Sequence, residues 1–116
     1  MKIGTPREVH EGEARVAMTP ESAQALQKLG HDCVIETGAG ALAGFDDAAY
    51  EAAGVEVVKT AAALWKAADV VAKVRAPVEA EVERLREGQT LISFFNPAGN
   101  KDLMEAAAQK GATVIA

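Results

Sequence analysis

Short runs rich in apolar and β-branched residues recur along the chain, at Lys2 to Thr5, Asp32 to Glu36, Val55 to Val58, Asp69 to Val74, Thr90 to Phe95 and Ala112 to Ala116. Between them lie segments with helical spacing and clear start and stop signals. Thr19, Pro20 and Glu21 read as an N-cap, a first-turn proline and an acid that complements the helix dipole. That helix is expected to run to Gly30, whose conformational freedom suits the residue just past a helix end. Asp46 starts a short helix through Tyr50 that stops at Gly54, and Thr60 caps a segment from Ala61 to Ala68. Pro77 opens a helix with Val78, Val82 and Leu85 on one stripe, ringed by Glu79, Glu81, Glu83, Arg84 and Arg86, and Gly88 ends it. Asn100 caps the last helix, which turns Leu103, Met104 and Ala107 inward and stops at Gly111. Strands alternating with helices form β-α-β units, so the fold class is α/β, a mainly parallel sheet with helices on both faces.

Composition narrows the function. The 116 residues are enough for one domain, with 49% hydrophobic and 25% charged residues, as expected of a globular protein. A net charge of −5 argues against a nucleic-acid partner, which requires a basic face. Cys33, the single cysteine, lies in the apolar run Cys33-Val34-Ile35 and reads as a buried structural thiol. One thiol and two scattered histidines, His10 and His31, make no metal cage. Apolar stretches such as Val70-Val71-Ala72 are too short to cross a bilayer. Lys2 is followed by Gly4-Thr5-Pro6, not by an apolar leader segment, so the soluble side of the cell is expected.

An open parallel sheet of about five strands commonly takes the flavodoxin-like order 2-1-3-4-5, with ligands beyond the carboxyl ends of the strands where the order reverses. That switch point falls between the first strand and the Asp69 to Val74 strand. Arg7, Arg15, Lys73 and Arg75 gather near it on an otherwise acidic chain, which makes an anion-binding cleft plausible. Arg15 and Lys73 are the candidates for lining it; the competing reading is that they are solvated charges. Lys73 ends an apolar strand and must send its ammonium to water, a carboxylate or a ligand. The loop Gly38-Ala39-Gly40-Ala41-Leu42-Ala43-Gly44 looks like a phosphate cradle, but its third glycine is misplaced by one residue and Asp46-Asp47 follow it. A tight structural turn is the better reading, with Asp46 as a helix cap. A receiver domain would need its acids after the first strand, where Thr5-Pro6-Arg7-Glu8 stand instead. Trp65, among alanines, reads as a core anchor.

Gly4-Thr5-Pro6-Arg7-Glu8, followed by Glu13-Ala14-Arg15-Val16-Ala17-Met18-Thr19-Pro20, resembles the opening shared by alanine dehydrogenases and transhydrogenase α subunits. The resemblance continues through Glu36-Thr37-Gly38-Ala39-Gly40, Phe45-Asp46-Asp47, Ala53-Gly54 and Lys73-Val74-Arg75-Ala76-Pro77, and so covers essentially the whole chain. It implies a flavodoxin-like first domain that packs against a Rossmann domain, with NAD(H) held in the cleft between them. In the alanine dehydrogenases the residues matching Arg15 and Lys73 contact substrate, and a catalytic histidine follows the strand that here ends Ser93-Phe94-Phe95. This sequence has Asn96-Pro97-Ala98 there, which resembles the transhydrogenase version.

The resemblance implies part of a proton-translocating NAD(P) transhydrogenase, which passes hydride from NADH to NADP. NADP(H) would sit on a partner domain, a homodimer and membrane-embedded subunits are the implied partners, and the location is the cytoplasmic side of the inner membrane. The alternatives are the first domain of an alanine dehydrogenase-like enzyme and a non-catalytic packing or dimerisation module. Residues 1–116 hold no Gly-x-Gly-x-x-Gly fingerprint and close on an apolar strand with no helix to cover it. The expectation is therefore a fragment lacking the Rossmann NAD-binding domain, with no cofactor of its own and no catalytic or metal-binding residue.

Overall fold

The computed structural model describes residues 1–9, 13–75, 78–93 and 101–115. Six strands, β1 (Lys2–Thr5), β2 (Asp32–Glu36), β3 (Glu56–Val58), β4 (Val70–Lys73), β5 (Thr90–Ser93) and β6 (Thr113–Ile115), form one sheet in the order β3-β2-β1-β4-β5-β6. Every neighbouring pair is parallel, with Gly4 opposite both Val34 and Val71, and Lys73 opposite Ser93. The expected five-strand order is present with one addition: the short β3 adds to the outer edge of β2. The reversal between β1 and β4 stays where the sequence places it.

Among the described residues five α-helices connect the strands: α1 (Pro20–Lys28), α2 (Asp47–Ala52), α3 (Ala61–Ala67), α4 (Glu79–Arg84) and α5 (Lys101–Gln109). Their starts follow the capping chemistry. Thr19 Oγ1 accepts the Ser22 N–H at 3.1 Å, Asp46 Oδ1 accepts from Ala49 at 2.9 Å, and Thr60 Oγ1 accepts from Ala63 at 3.1 Å. The expected roles of Pro77, Asn100 and the Leu103 side chain lie outside the described residues, as do Phe94, Phe95 and Ala116.

Residues alternate between the two sheet faces and feed two apolar clusters. On one face Val34, Val71 and Leu91 pack with Leu64 and Trp65 of α3, Val82 and Leu85 from α4 and its end, and Ala107 of α5. On the other, Cys33 and Ile35 pack with Ala23 of α1, Tyr50 of α2 and Met18. Ile92 and Ile115, paired in register on β5 and β6, are exposed. Among the described residues no helix is long and apolar enough to cross a membrane.

Gly4 lies where β1 passes under α3. A Cβ there would stand 2.7 Å from the Ala68 Cβ and 3.1 Å from a Leu64 methyl. Gly4→Ala is therefore expected to cost about 1–3 kcal/mol through overpacking, read as a lower denaturation midpoint with unchanged steepness.

Candidate functional site

The loops leaving β1 and β4 meet at the switch point, and a buried carboxylate ties them together. Glu8 Oε2 accepts the Val74 N–H at 2.8 Å, while its Oε1 accepts the Arg75 N–H and the Lys73 ammonium, each at 3.1 Å. Lys73 also donates to the Arg75 carbonyl at 2.9 Å and lies 3.4 Å from Glu81 Oε1. Its side chain has no solvent exposure, and those of Glu8 and Glu81 are only 3% and 7% exposed. Ser93, at the end of β5, donates its hydroxyl to the same Arg75 carbonyl at 2.6 Å. An ammonium has three donors, and those of Lys73 face two carboxylates and one carbonyl.

A second layer lies outside this one. Glu13 is buried and accepts from Arg15 Nε at 2.7 Å, Arg15 Nη2 at 3.2 Å and Arg75 Nε at 2.8 Å. The Arg15 and Arg75 side chains are 69% and 50% exposed. Hydrogen bonds from Arg15, then from Arg75, lower the Glu13 carboxyl to about 2, against its burial. Glu81 moves the other way: burial raises it, and the nearby Lys73 only partly offsets this.

The four cations of the sequence reading do meet at one end of the sheet, but at two depths. Lys73 is inside, Arg15 and Arg75 are at the surface, and Arg7 is exposed with its backbone N–H bonded to Glu36 Oε1 at 2.9 Å. Three acids pair with Lys73, Arg15 and Arg75, and none of the three is evident as a partner from the sequence. Glu8 and Glu13 stand in the same loops as the cations. Glu81, expected on the polar ring of α4, is buried. Its position was a signal: three residues after Val78 and four before Leu85, it falls within the apolar stripe.

The glycine loop is a structural turn. Asp47 accepts from the Gly38 N–H at 3.0 Å and from the Thr37 hydroxyl, so the donor a phosphate would use is already taken. These bonds, the Gly38 one first, hold Asp47 below its ordinary value. Gly40 allows a close approach, since a Cβ there would sit 2.8 Å from the Phe45 carbonyl oxygen and clash with the Tyr50 ring. Tyr50 itself donates to the Met18 carbonyl at 2.7 Å, and burial, then the Asp47 charge, pushes its hydroxyl up to about 12. Asn96-Pro97-Ala98 and His10 lie outside the described residues.

A doubly wound parallel sheet with a charged, acid-braced rim at its switch point is the architecture of an open α/β domain, in which ligands commonly sit beyond the carboxyl ends of the strands. Residues 4–116 match the family model described as alanine dehydrogenase/PNT, N-terminal domain, and the chain belongs to that family. Over all 116 residues it is 71% identical to the NAD(P) transhydrogenase subunit alpha of Cereibacter sphaeroides, spanning 22% of that protein. It is 42% identical to the alanine dehydrogenase of Halomonas elongata, spanning 31% of it. Among solved structures, a transhydrogenase from Sinorhizobium meliloti superimposes with a TM-score of 0.93 at 38% identity, the whole chain covering 34% of that one. An L-alanine dehydrogenase gives 0.94 at 38% identity, with 32% of its chain covered.

Two stability predictions follow from the buried charges. Lys73→Met leaves two buried carboxylates without their cation and is expected to cost about 3–5 kcal/mol in denaturant unfolding. Glu13 lies at about 2 when folded against an ordinary 4.5, so its contribution is complete above 4.5 and is lost as pH falls towards 2. Glu81, raised in the folded state, contributes with the opposite sign, and acidification relieves its cost. Melting temperatures of Glu13→Gln are therefore expected to fall less steeply than wild type as pH drops from 4.5 towards 2, whereas Glu81→Gln is expected to lack the gain that wild type shows above 4.5, where folded Glu81 takes up its proton.

Proposed function

We propose that this chain is the first domain of the NAD-handling subunit of a proton-translocating NAD(P) transhydrogenase, which passes hydride from NADH to NADP. The observation that carries the reading is the 71% identity to a transhydrogenase α subunit along the full chain, against 42% for the alanine dehydrogenase. Asn96-Pro97-Ala98, where a catalytic histidine would serve oxidative deamination, supports it. The active protein on this reading is a homodimer at the cytoplasmic side of the inner membrane. It works with membrane-embedded subunits and with a partner domain that carries NADP(H).

Within that assembly these 116 residues form one wall of the NAD cleft, with a Rossmann domain supplying the other. They do not fit a dinucleotide by themselves, because the Gly38 N–H is spent on Asp47 and the glycine loop leads into two acids. Of the two candidates, Arg15 is the proposed cleft-facing residue, while Lys73, with no exposed side chain and its donors facing Glu8, Glu81 and the Arg75 carbonyl, supports the rim from inside. Arg15 offers outward N–H groups to an anionic edge of the ligand, and Lys73 holds the β4 loop behind it.

The complete protein is expected to reduce an NADP analogue with NADH and to produce no NADH from alanine. Alanine-dependent NADH formation well above a Lys73→Ala control would overturn the assignment in favour of a dehydrogenase. The 116-residue chain alone is expected to show no saturable binding when titrated with micromolar NADH, followed by calorimetry.

A further inference from the structure

Two guanidinium groups from distant parts of the chain converge on one carboxylate. Arg15 lies in the loop before α1 and Arg75 in the loop after β4, yet both donate to Glu13. Arg15 uses its Nε and one terminal nitrogen, and Arg75 uses its Nε alone, so the other donors of both forks stay free of Glu13. The acid is buried, while both arginines reach solvent. A flexible arginine must be ordered when it binds a ligand, and a carboxylate that holds its inner edge removes part of that cost beforehand.

We propose that Glu13 is a positioning residue that sets Arg15 and Arg75 side by side as a preorganised site for an oxyanion of the ligand. Glu13 and its two guanidinium groups together carry one positive charge, and guanidinium forks pair well with phosphate or carboxylate. Glu13 does not itself touch the ligand. Its lowered carboxyl stays ionised throughout the neutral range, so it remains an acceptor and keeps both forks facing outward. This inference rests on the reading that Arg15 lines the NAD cleft.

The test is a double-mutant cycle in the complete protein, with NADH affinity read by fluorescence titration and melting temperature read beside it. Glu13→Gln is expected to weaken NADH binding about tenfold, as loss of a supporting side chain commonly does. Glu13→Asp, which keeps the charge but shortens the reach, is expected to fall between Gln and wild type. Arg15→Ala is expected to weaken binding as well, and Glu13→Gln added to it should weaken binding little further, because both changes remove one unit. Full additivity, or unchanged affinity in Glu13→Gln while Arg15→Ala is impaired, overturns the positioning role and leaves the cleft reading standing. Unchanged affinity in Arg15→Ala overturns both. Should Glu13→Gln fail to fold, Glu13→Asp decides alone, and wild-type affinity in it overturns the proposal.

Discussion

Placing an ammonium at the end of a buried strand sets the terms for everything around it. Lys73 has no route to water, so the fold has to bring counter-charges and acceptors to it, and it does so from three directions. Glu8 comes from the loop after β1, Glu81 from α4 and the Arg75 carbonyl from the strand's own continuation. Each partner is committed elsewhere too: Glu8 to two backbone N–H groups, Glu81 to the Val78 N–H at 3.0 Å, and the carbonyl to Ser93. The result ties β1, β4, β5 and α4 together at the end of the sheet where parallel folds place ligands.

This arrangement separates structural charge from usable charge. The inner layer satisfies itself, and the outer layer, Arg15 and Arg75 on Glu13, presents cations to solvent. An acidic chain can thus carry a locally cationic rim, because the acids that brace the rim point inward.

The elements were legible in the sequence because their signals are local. Thr19, Asp46 and Thr60 each act on an N–H three residues away, and Gly30, Gly54 and Gly111 take positive φ just after helices end. The phosphate-loop decoy was also resolved locally, since Asp47 lies only nine residues from Gly38. The charge network was not legible in the same way. Glu8 and Lys73 are 65 residues apart, and Glu13 and Arg75 are 62 apart, so only the closed sheet shows that they meet. The four cations are legible one by one in the sequence, but that Lys73, Arg15 and Arg75 pair with acids is visible only in the structure. The edge position of β3 was hidden for a related reason: three residues pair with β2 only after the helical crossover α2 returns the chain to that side.

Arg75 takes part in the inner layer entirely through its main chain, with its N–H on Glu8 and its carbonyl receiving Lys73 and Ser93. Only its guanidinium belongs to the outer layer. Most substitutions at this position would therefore leave the peptide group and its bonds intact while changing the sign or shape of what the rim offers. Scaffold and surface charge are held by different atoms of one residue, so the charge that the rim presents is free to drift in evolution without the end of the sheet coming apart.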